Sequence, residues 1–292
     1  MNDKKNMTNA TVRALTPSIG GEIEGIDLST SLSDAEASFI RQALLDHHVL
    51  FFRDQNLNHE QHKTVGELFG NLVQVPFVAS VPEHPEVFEI IKLPEERGIY
   101  NFGGNWHTDM TYLQEPALVS VLYGAETPPS GGDTMFASLE DAYNALSPGM
   151  QKLLEGLTGI HTAERSYGTS GKFASSSIAD DGMDVRPSKE ASKQIEHPVV
   201  RTHPETGRKA LYVNPNFTFH FKDMTEEESK PLLGFLFKHM TRDEFVCRFR
   251  WTPGSVVIWD NRCTMHRALN DYDGHRRVMR RVTVGGDRPR LI

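Results

Sequence analysis

The apolar residues of this chain lie in many short runs separated by turns, and this spacing limits the fold more than any other feature. Residues 48–52 (HVLFF), ended by the polar turn 53–56 (RDQN), are typical of a buried strand. The short, glycine-rich segment 15–28 predicts a strand, a turn and a second strand. Further strands are predicted at residues 87–93, 117–123, 132–136, 198–202, 209–213, 245–251, 255–259 and 281–284.

Helices are fewer than strands. Ser33-x-x-Glu36 and Thr225-x-x-Glu228 are capping boxes, which mark the first turns of two helices. Other helices are predicted at residues 58–69, 139–146 and 149–157. The chain lacks the regular strand–helix alternation of a doubly wound fold, and no glycine-rich phosphate loop follows a strand. We therefore predict a mainly β fold with peripheral helices, of the α+β class.

The chain shows no internal repeat and no low-complexity linker, so its 292 residues predict a single domain at residues 13–292. Residues 1–12 carry lysines without a following apolar segment, which predicts a disordered lead-in rather than a secretory signal. Residues 167–193 are rich in Ser, Gly, Asp and Lys. They predict a mobile loop, and long loops in compact enzymes are often lids.

The overall composition excludes several partners. A formal net charge of -8 argues against a general nucleic-acid-binding role, which needs a basic face. No apolar run approaches the roughly 20 residues that span a bilayer. The two cysteines, Cys247 and Cys263, cannot form a disulfide framework and are interpreted as buried free thiols in a reducing compartment. We therefore predict a cytoplasmic protein with no nucleic-acid or membrane partner.

Three residues form a candidate metal site. On a strand, His107 and Asp109 would point to the same side and could reach one ion together. By itself this triplet is more often a surface histidine beside a turn aspartate. His266, just beyond the strand-like run at 256–259, completes a set of two histidines and one carboxylate. Such a facial triad leaves open positions on the metal and is diagnostic of non-haem Fe(II) oxygenases, whereas structural zinc sites usually have four protein ligands.

Two arginines follow the last of these residues. If the stretch is a strand, Arg277 and Arg281 share a face, and both guanidinium groups can enter one cavity. The planar guanidinium binds a carboxylate through two parallel hydrogen bonds. By itself the segment 276–281 (RRVMRR) would more often be a solvated basic strand. After a candidate metal ligand it indicates recognition of a carboxylate.

With these residues in place, the chain resembles the Fe(II)/2-oxoglutarate dioxygenases of the taurine and phenoxyalkanoate group over nearly its whole length. The resemblance rests on several ordered motifs, together with His266, Arg277 and Arg281 at the family spacing. The motifs are residues 105–109 (NWHTD), 131–134 (GGDT), 197–204 (HPVVRTHP), 211–214 (LYVN) and 259–262 (WDNR).

The resemblance implies a double-stranded β-helix (jelly-roll) core. It implies that His107, Asp109 and His266 bind iron, and that Thr134 and Arg277 hold the distal carboxylate of 2-oxoglutarate. The arginine at the position of Arg281 often meets the anionic group of the prime substrate. The implied cofactor is Fe(II), with 2-oxoglutarate and O₂ as co-substrates, and the products include succinate and CO₂. Relatives commonly form dimers or tetramers, so a homo-oligomer is an open expectation.

The sequence departs from the taurine dioxygenases at three positions. Val75, Val78 and Gly103 stand where those enzymes carry a histidine, a tyrosine and an asparagine. Loss of these polar groups argues against taurine and makes room for apolar bulk. Further candidates for an apolar wall, each equally consistent with ordinary core packing, are Phe77, Met110, Phe217 and Phe219.

We therefore expect hydroxylation of a carbon next to a heteroatom in a small anion with an apolar tail: an aryloxyalkanoate, an alkyl sulfate or a sulfonate. Taurine itself is the alternative substrate. A non-catalytic jelly-roll protein that binds a metal or a small acid is the alternative of another class. A hydrolytic metalloenzyme would need a general base in a motif such as His-Glu-x-x-His, and the sequence contains none.

Most of the 13 histidines need no ligand role. Surface positions are predicted for His47, His59, His62, His84, His239 and His275. Structural hydrogen bonding is predicted for His161, His197 and His203. His220, between two phenylalanines, is a candidate substrate contact.

Overall fold

The computed structural model describes residues 9–96, 101–174 and 183–292. The first strands, in chain order, are β1 (Thr11–Ala14), β2 (Gly21–Glu24), β3 (Val49–Phe52), β4 (Leu72–Val73), β5 (Val87–Lys92), β6 (Ala117–Glu126), β7 (Thr134–Ser138) and β8 (Thr158–His161). The remaining strands are β9 (Ile195–Pro198), β10 (Val200–Thr202), β11 (Lys209–Leu211), β12 (Thr218–Phe221), β13 (Val246–Phe249), β14 (Val256–Asp260), β15 (Thr264–Ala268) and β16 (Arg277–Gly285).

The helices connect and flank these strands. The α-helices are α1 (Asp34–His47), α2 (His59–Glu67), α3 (Leu139–Asn144), α4 (Pro148–Glu155), α5 (Glu164–Tyr167) and α6 (Glu226–Met240). Short 3₁₀ helices occupy Lys189–Ser192 and Asp243–Phe245. Ser33 and Thr225 cap α1 and α6 in complete capping boxes, as the sequence predicts. In the described part of the chain, no helix is long and apolar enough to cross a membrane.

The largest sheet has eight strands in the order β1-β2-β3-β14-β6-β16-β4, with β5 paired to β16. Its central strand β14 is buried on both faces. Successive side chains of a strand point to opposite faces, so β14 contributes to two cores. Val256 and Ile258 pack in a core with residues of α1 and α2. Val257 and Trp259 point to the opposite face, into a second core.

That second core lies between the large sheet and a three-stranded sheet of order β13-β7-β15. Phe51 of the large sheet stacks on Phe249 of the small one at 4.3 Å between ring centroids. Phe136 of β7 meets the Trp259 ring at 5.6 Å. Two sheets therefore pack face to face, and β15 carries His266 on the inner side of this layer. The smaller sheets β12-β8-β9 and β10-β11 lie beyond it, and residues of β10 and β11 pack with α3, α4 and α6.

The prediction of a mainly β fold with few helices is confirmed. The structure adds short strands that the sequence did not predict, among them β8, β12 and β15, and it shifts the ends of others. The strand predicted inside 15–28 begins earlier, so that β1 falls at the end of the expected lead-in 1–12. Residues 1–8 of that lead-in, and 175–182 of the loop expected at 167–193, lie outside the described residues. In the described part of the loop, Val185 forms a bridge with Val78. The last strand, β16, is longer than 281–284 and includes Arg277.

Two histidines that the sequence places at the surface are buried. His62 is fully inaccessible, and its ring Nε2 donates to the carbonyl of Val121 at 3.1 Å. His239 donates from Nε2 to the carbonyl of Ala142 at 2.7 Å. His62 sits on the inner side of α2, a helix of polar composition, and His239 follows Lys238 in the last turn of α6, which is why sequence reasoning assigned both to solvent.

Burial makes His62 a pH-sensitive element of stability. Desolvation lowers the pKa of His62 from 6.5 to about 4, so the unfolded chain takes up this proton at a higher pH than the folded chain. This difference in pKa contributes to the free energy of unfolding. The contribution is complete at pH values above the unfolded pKa of 6.5 and is lost as the pH falls toward 4. The shift corresponds to roughly 3 kcal/mol at full extent. His62→Gln, which keeps an N–H donor, should remove this part of the acid sensitivity.

The measurement is the free energy of unfolding by urea at a series of pH values between neutrality and pH 4, for both proteins. The wild-type curve should fall more steeply than the His62→Gln curve. His275→Gln, at an exposed turn position, is the control and should follow the wild type. Parallel wild-type and His62→Gln curves would contradict the prediction.

Candidate metal centre and the adjoining cavity

Two of the candidate ligands lie side by side on the backbone. His107 and His266 form an antiparallel bridge in which each N–H donates to the other carbonyl, at 2.9 and 2.8 Å. Their ring centroids are 4.2 Å apart. Both side chains are buried. Phe136 and Trp259 pack against the ring of His266, which fixes its direction.

The third candidate ligand, Asp109, lies next to the two histidines, but its backbone does not form the strand that the His-x-Asp spacing predicts. Residues 105–109 do not form a strand: His107 is a single bridge residue, and Asp109 lies in a turn that continues through Met110 at φ +56°. The turn still brings the carboxylate alongside the rings. Asp109 Oδ1 is 3.6 Å from His107 Nε2 and 3.8 Å from His266 Nε2. The predicted grouping is therefore present, although the strand argument for it is wrong.

The ring nitrogens are arranged as a metal requires. His107 Nδ1 donates to the carbonyl of Asn105 at 2.8 Å, which leaves the Nε2 lone pair directed at Asp109. Burial lowers the pKa of both His107 and His266, so both rings are neutral near pH 7 and can act as ligands. Burial by itself would raise the pKa of Asp109, but Arg281 and the two histidines outweigh it and hold this pKa below its usual range.

The outer oxygen of the carboxylate is occupied by protein donors. Asp109 Oδ2 accepts from Arg281 Nη2 at 2.5 Å, from Ser120 Oγ at 2.9 Å and from Trp259 Nε1 at 3.2 Å. Only Oδ1 is left to face the histidines. This three-donor clamp fixes Asp109 as a ligand through one oxygen. Sequence reasoning missed Ser120 and Trp259 in this role, because both sit in apolar strand segments that read as core.

These observations fit a divalent metal bound by two imidazoles and one carboxylate. The three donor atoms lie within 4.8 Å of one another, and all three residues are buried. No cysteine belongs to this grouping in the described part of the chain, which distinguishes it from a closed structural zinc site. The set is a facial triad, the donor arrangement typical of non-haem iron.

A cavity adjoins the triad and gathers the predicted anion-binding residues. It is lined by Ile90, Phe102, Gly103, His107, Leu122, Thr134, Trp259, His266, Ala268, Arg277 and Arg281. Arg277 and Arg281 thus share a face of β16, as their spacing predicts. Gly103 closes one side, where an added Cβ would lie 3.4 Å from the His107 ring.

Arg277 and Thr134 are prepared to bind an anion. Arg277 is buried, its Nη2 donates to the carbonyl of Gly132 at 3.3 Å, and its Nε has no partner. Burial lowers the pKa of this guanidinium, because no carboxylate pairs with it. Thr134 Oγ1 accepts from Trp251 Nε1 at 2.9 Å, so its hydroxyl hydrogen remains to be donated. A carboxylate placed between them would satisfy donors that are otherwise orphaned.

Arg281 has two faces. Its Nη2 belongs to the clamp on Asp109, whereas its Nε is buried without a hydrogen-bond partner. The guanidinium carries five N–H donors, and the clamp uses only part of them. Arg281 can therefore hold the metal ligand and still bind a second anion in the same cavity.

Beside the histidines lies an apolar cluster rich in aromatic residues. Met110, Tyr112 and Phe217 belong to it, with Val75 and Phe77 packed against it, and the Phe217 ring lies 6.2 Å from that of His107. Val78 is buried in its bridge with Val185.

Two of the predicted substrate contacts, one apolar and one a histidine, lie elsewhere. The guanidinium of Arg165 lies over the ring of Phe219, 4.3 Å from the ring centroid. Phe219 lines a separate groove beside α6. His220, on the same strand, donates from its ring to the carbonyl of Phe221. Neither lines the cavity at the triad.

Comparison with known proteins identifies the family. The chain is similar to an alkylsulfatase of Acinetobacter baylyi, with 37% identity over 277 residues that cover 94% of this chain and 85% of that protein. It is 34% identical to an alpha-ketoglutarate-dependent sulfate ester dioxygenase of Pseudomonas putida, covering 93% of this chain and 88% of the other. A crystal structure of a taurine dioxygenase from Burkholderia xenovorans superimposes with a TM-score of 0.79 at 37% identity, over 96% of this chain and 90% of that one.

The family model described as "Taurine catabolism dioxygenase TauD, TfdA family" matches residues 11–283, which include the triad, the Asp109 clamp, Thr134 and both arginines. The family expected from the sequence motifs is thereby confirmed. The chain belongs to the TauD/TfdA family of dioxygenases.

Proposed function

We propose that the chain is an Fe(II)- and 2-oxoglutarate-dependent dioxygenase that hydroxylates the carbon next to oxygen in small alkyl sulfate esters. The observation that carries this proposal is a single cavity in which two triad histidines meet two buried arginines. A metal-binding protein without catalysis would not need two anion-binding groups within reach of the same metal.

The two facing sheets support a jelly-roll core, and we propose one domain over residues 13–292. The two cysteines are free and buried, which supports a cytoplasmic location.

The residues divide the work among themselves. His107, Asp109 and His266 would hold iron, whose chemistry when bound is the activation of O₂ coupled to oxidative decarboxylation of 2-oxoglutarate. Arg277 and Thr134 would bind the distal carboxylate of 2-oxoglutarate through the Arg277 Nε and the Thr134 hydroxyl. The clamp on Asp109 Oδ2 keeps the carboxylate from swinging into the cavity. Buried aromatic residues exclude water from the site.

Arg281 and the apolar cluster would each bind one end of the substrate. The free Nε of Arg281 would bind the anionic sulfate, and the cluster of Met110, Tyr112 and Phe217 would receive an alkyl tail. Hydroxylation of R–CH₂–O–SO₃⁻ gives R–CH(OH)–O–SO₃⁻. This product breaks its C–O bond to release an aldehyde, hydrogen sulfate being the leaving group. The co-substrates 2-oxoglutarate and O₂ become succinate and CO₂, and the second oxygen atom of O₂ enters succinate.

The same geometry disfavours taurine. The amine of that zwitterion needs hydrogen-bond acceptors, and Val75, Val78 and Gly103 offer no side-chain acceptor. Burying a charged ammonium against this wall without a partner would cost several kcal/mol. An apolar tail meets no such penalty.

Removal of a triad histidine should stop turnover. His107→Ala deletes one of three metal ligands, so 2-oxoglutarate consumption and succinate release should fall below detection at Fe(II) concentrations that saturate the wild type. His220→Ala, outside the cavity, should keep full activity. Full succinate formation by folded His107→Ala protein would refute the metal assignment.

The substrate class can be tested directly by measuring succinate release with Fe(II), ascorbate and 2-oxoglutarate. Medium-chain alkyl sulfates should stimulate release most, ahead of aryloxyalkanoates and alkyl sulfonates, and the aldehyde should form in equal amount with sulfate. Stimulation by taurine with none of the apolar anions active would reverse this assignment.

The clamp and the substrate site can be separated by two variants. Ser120→Ala removes one donor to Asp109 Oδ2 and also an acceptor of Arg281 Nη2, but it leaves Arg281 Nε in place. Fe(II) affinity should therefore fall roughly 10- to 100-fold with little change in the KM for alkyl sulfate. Arg281→Ala should weaken both. Equal KM values for Arg281→Ala and wild type would show that the arginine serves the metal ligand alone.

A further inference from the structure

A second group of metal-binding side chains lies outside the cavity. Among the described residues, three groupings of His, Cys, Asp or Glu bring their ligand atoms within 4.8 Å. One is the iron triad. The other two share Cys263, a buried thiol in the turn between β14 and β15. Whether either can bind a cation depends on whether its donor atoms are free.

In the grouping of His203, Asp260 and Cys263 the donors are already used. Asp260 accepts from His203 Nε2 at 3.0 Å and from Arg262 at 2.6 and 2.9 Å. Burial by itself would raise the pKa of Asp260, but Arg262 and His203 hold it well below its usual range. This carboxylate is fully paired, and a cation there would have to displace a buried ion pair.

In the grouping of His48, Glu140 and Cys263, two buried donor atoms lack a hydrogen-bond partner among the described residues. The three residues are 4%, 2% and 1% exposed. Glu140 Oε1 has no hydrogen-bond partner, and neither has His48 Nε2, although it lies 3.1 Å from Glu140 Oε2. The Cys263 thiol makes only a long contact of 3.9 Å to the carbonyl of Asp260. Buried polar atoms without partners cost about 1–3 kcal/mol each, so a ligand that binds these atoms would stabilise the folded chain.

Neighbouring groups contact other atoms of these side chains. Arg208 Nε pairs with Glu140 Oε2 at 2.9 Å, which uses that oxygen and leaves Oε1. His48 Nδ1 lies 3.5 Å from the hydroxyl of Ser138, which can donate or accept there, so metal binding requires the ring tautomer with Nε2 unprotonated. His48 is the C-cap residue of α1 and Glu140 lies in the first turn of α3, so both side chains stand at helix ends.

We infer that His48, Glu140 and Cys263, each through one side-chain donor atom, form a second divalent-cation site, of the zinc class, separate from the iron triad. One imidazole, one carboxylate and one thiolate are the mixed N, O and S donors that zinc accepts. Binding replaces the thiol proton: Zn²⁺ and Cys–SH give Cys–S⁻–Zn²⁺ and H⁺. Two anionic ligands balance the charge of the ion, and Arg208 stays on the outer oxygen of Glu140.

The site has three protein ligands, one fewer than a closed structural zinc site, and its position nevertheless links it to folding. It ties the end of α1 and the start of α3 to the turn that leads into β15, the strand that carries His266. A cation there would stabilise the folded chain by mass action, because the unfolded chain lacks the preformed site. The proposal does not depend on the dioxygenase reaction, since its readouts are metal binding and stability.

The test uses the full-length chain with His107→Ala and His266→Ala, so that the triad cannot bind metal. After chelator treatment this parent should take up one equivalent of Zn²⁺ in a chelator competition. With Co²⁺ it should develop the near-ultraviolet thiolate-to-cobalt charge-transfer absorption. Adding Cys263→Ser should abolish this absorption and weaken Zn²⁺ by more than the roughly 10- to 100-fold that loss of an outer partner costs.

Matched variants make the result decisive. Cys247→Ser removes the other buried free thiol and should leave Zn²⁺ affinity and the cobalt spectrum unchanged. Glu140→Gln, which keeps the side-chain volume, should weaken Zn²⁺ as Cys263→Ser does. It decides the question if the serine variant fails to fold. A parent that takes up no stoichiometric Zn²⁺, or a Cys263→Ser protein that binds as tightly as the parent, would overturn the proposal.

Discussion

The candidate active site depends on one buried carboxylate, Asp109, and on the three donors that hold its outer oxygen. An unpaired carboxylate at this depth would lose its charge and its value as a ligand. Arg281, Ser120 and Trp259 prevent this, and each comes from a different strand. Those strands, β16, β6 and β14, are neighbours in the large sheet, and Trp259 stands directly opposite Ser120 in the register. A one-residue slip of β6 would turn Ser120 away.

The metal ligands are divided between the two structural layers. His266 belongs to the small sheet, and its backbone holds His107, while the clamp on Asp109 belongs to the large sheet. Phe136 and Trp259 pack between the layers and against the ring of His266. Correct spacing of the sheets is therefore needed to bring three ligand atoms together. The interior between the sheets serves as core and as active site at once.

The two buried arginines in this interior, Arg277 and Arg281, are not fully neutralised by carboxylates. Among the described residues no carboxylate pairs with Arg277, and the carboxylate that pairs with Arg281 is Asp109, itself a candidate metal ligand. Desolvated guanidinium groups of this kind are costly for the folded chain alone and become favourable when small anions bind. This is the physical reason that the cavity suits 2-oxoglutarate and an anionic substrate together. The Cys263 grouping shows the same feature: donor atoms left free where a ligand would satisfy them.

The sequence by itself determined the reaction class, because candidate metal ligands and anion-binding arginines can be recognised from their residue types and their order in the chain. His107, Asp109 and His266, followed by Arg277 and Arg281, were readable as one site before any geometry was known. Strand and helix patterns likewise predicted the mainly β fold and the capped helices. Element ends shifted by a few residues, and short strands such as β8, β12 and β15 were not predicted, since local propensity is weak in short segments and packing decides.

Only the tertiary structure decided how these residues work. Asp109 lies in a turn rather than on a strand, and its clamp comes from residues that look like core in the sequence. Likewise Phe219 and His220 face another groove, and His62 is buried on a helix of polar composition. Periodicity reports which side of an element is apolar, but contacts between distant segments depend on register and sheet packing. For that reason the candidate ligands could be proposed from the sequence, whereas the side chains that contact them could not.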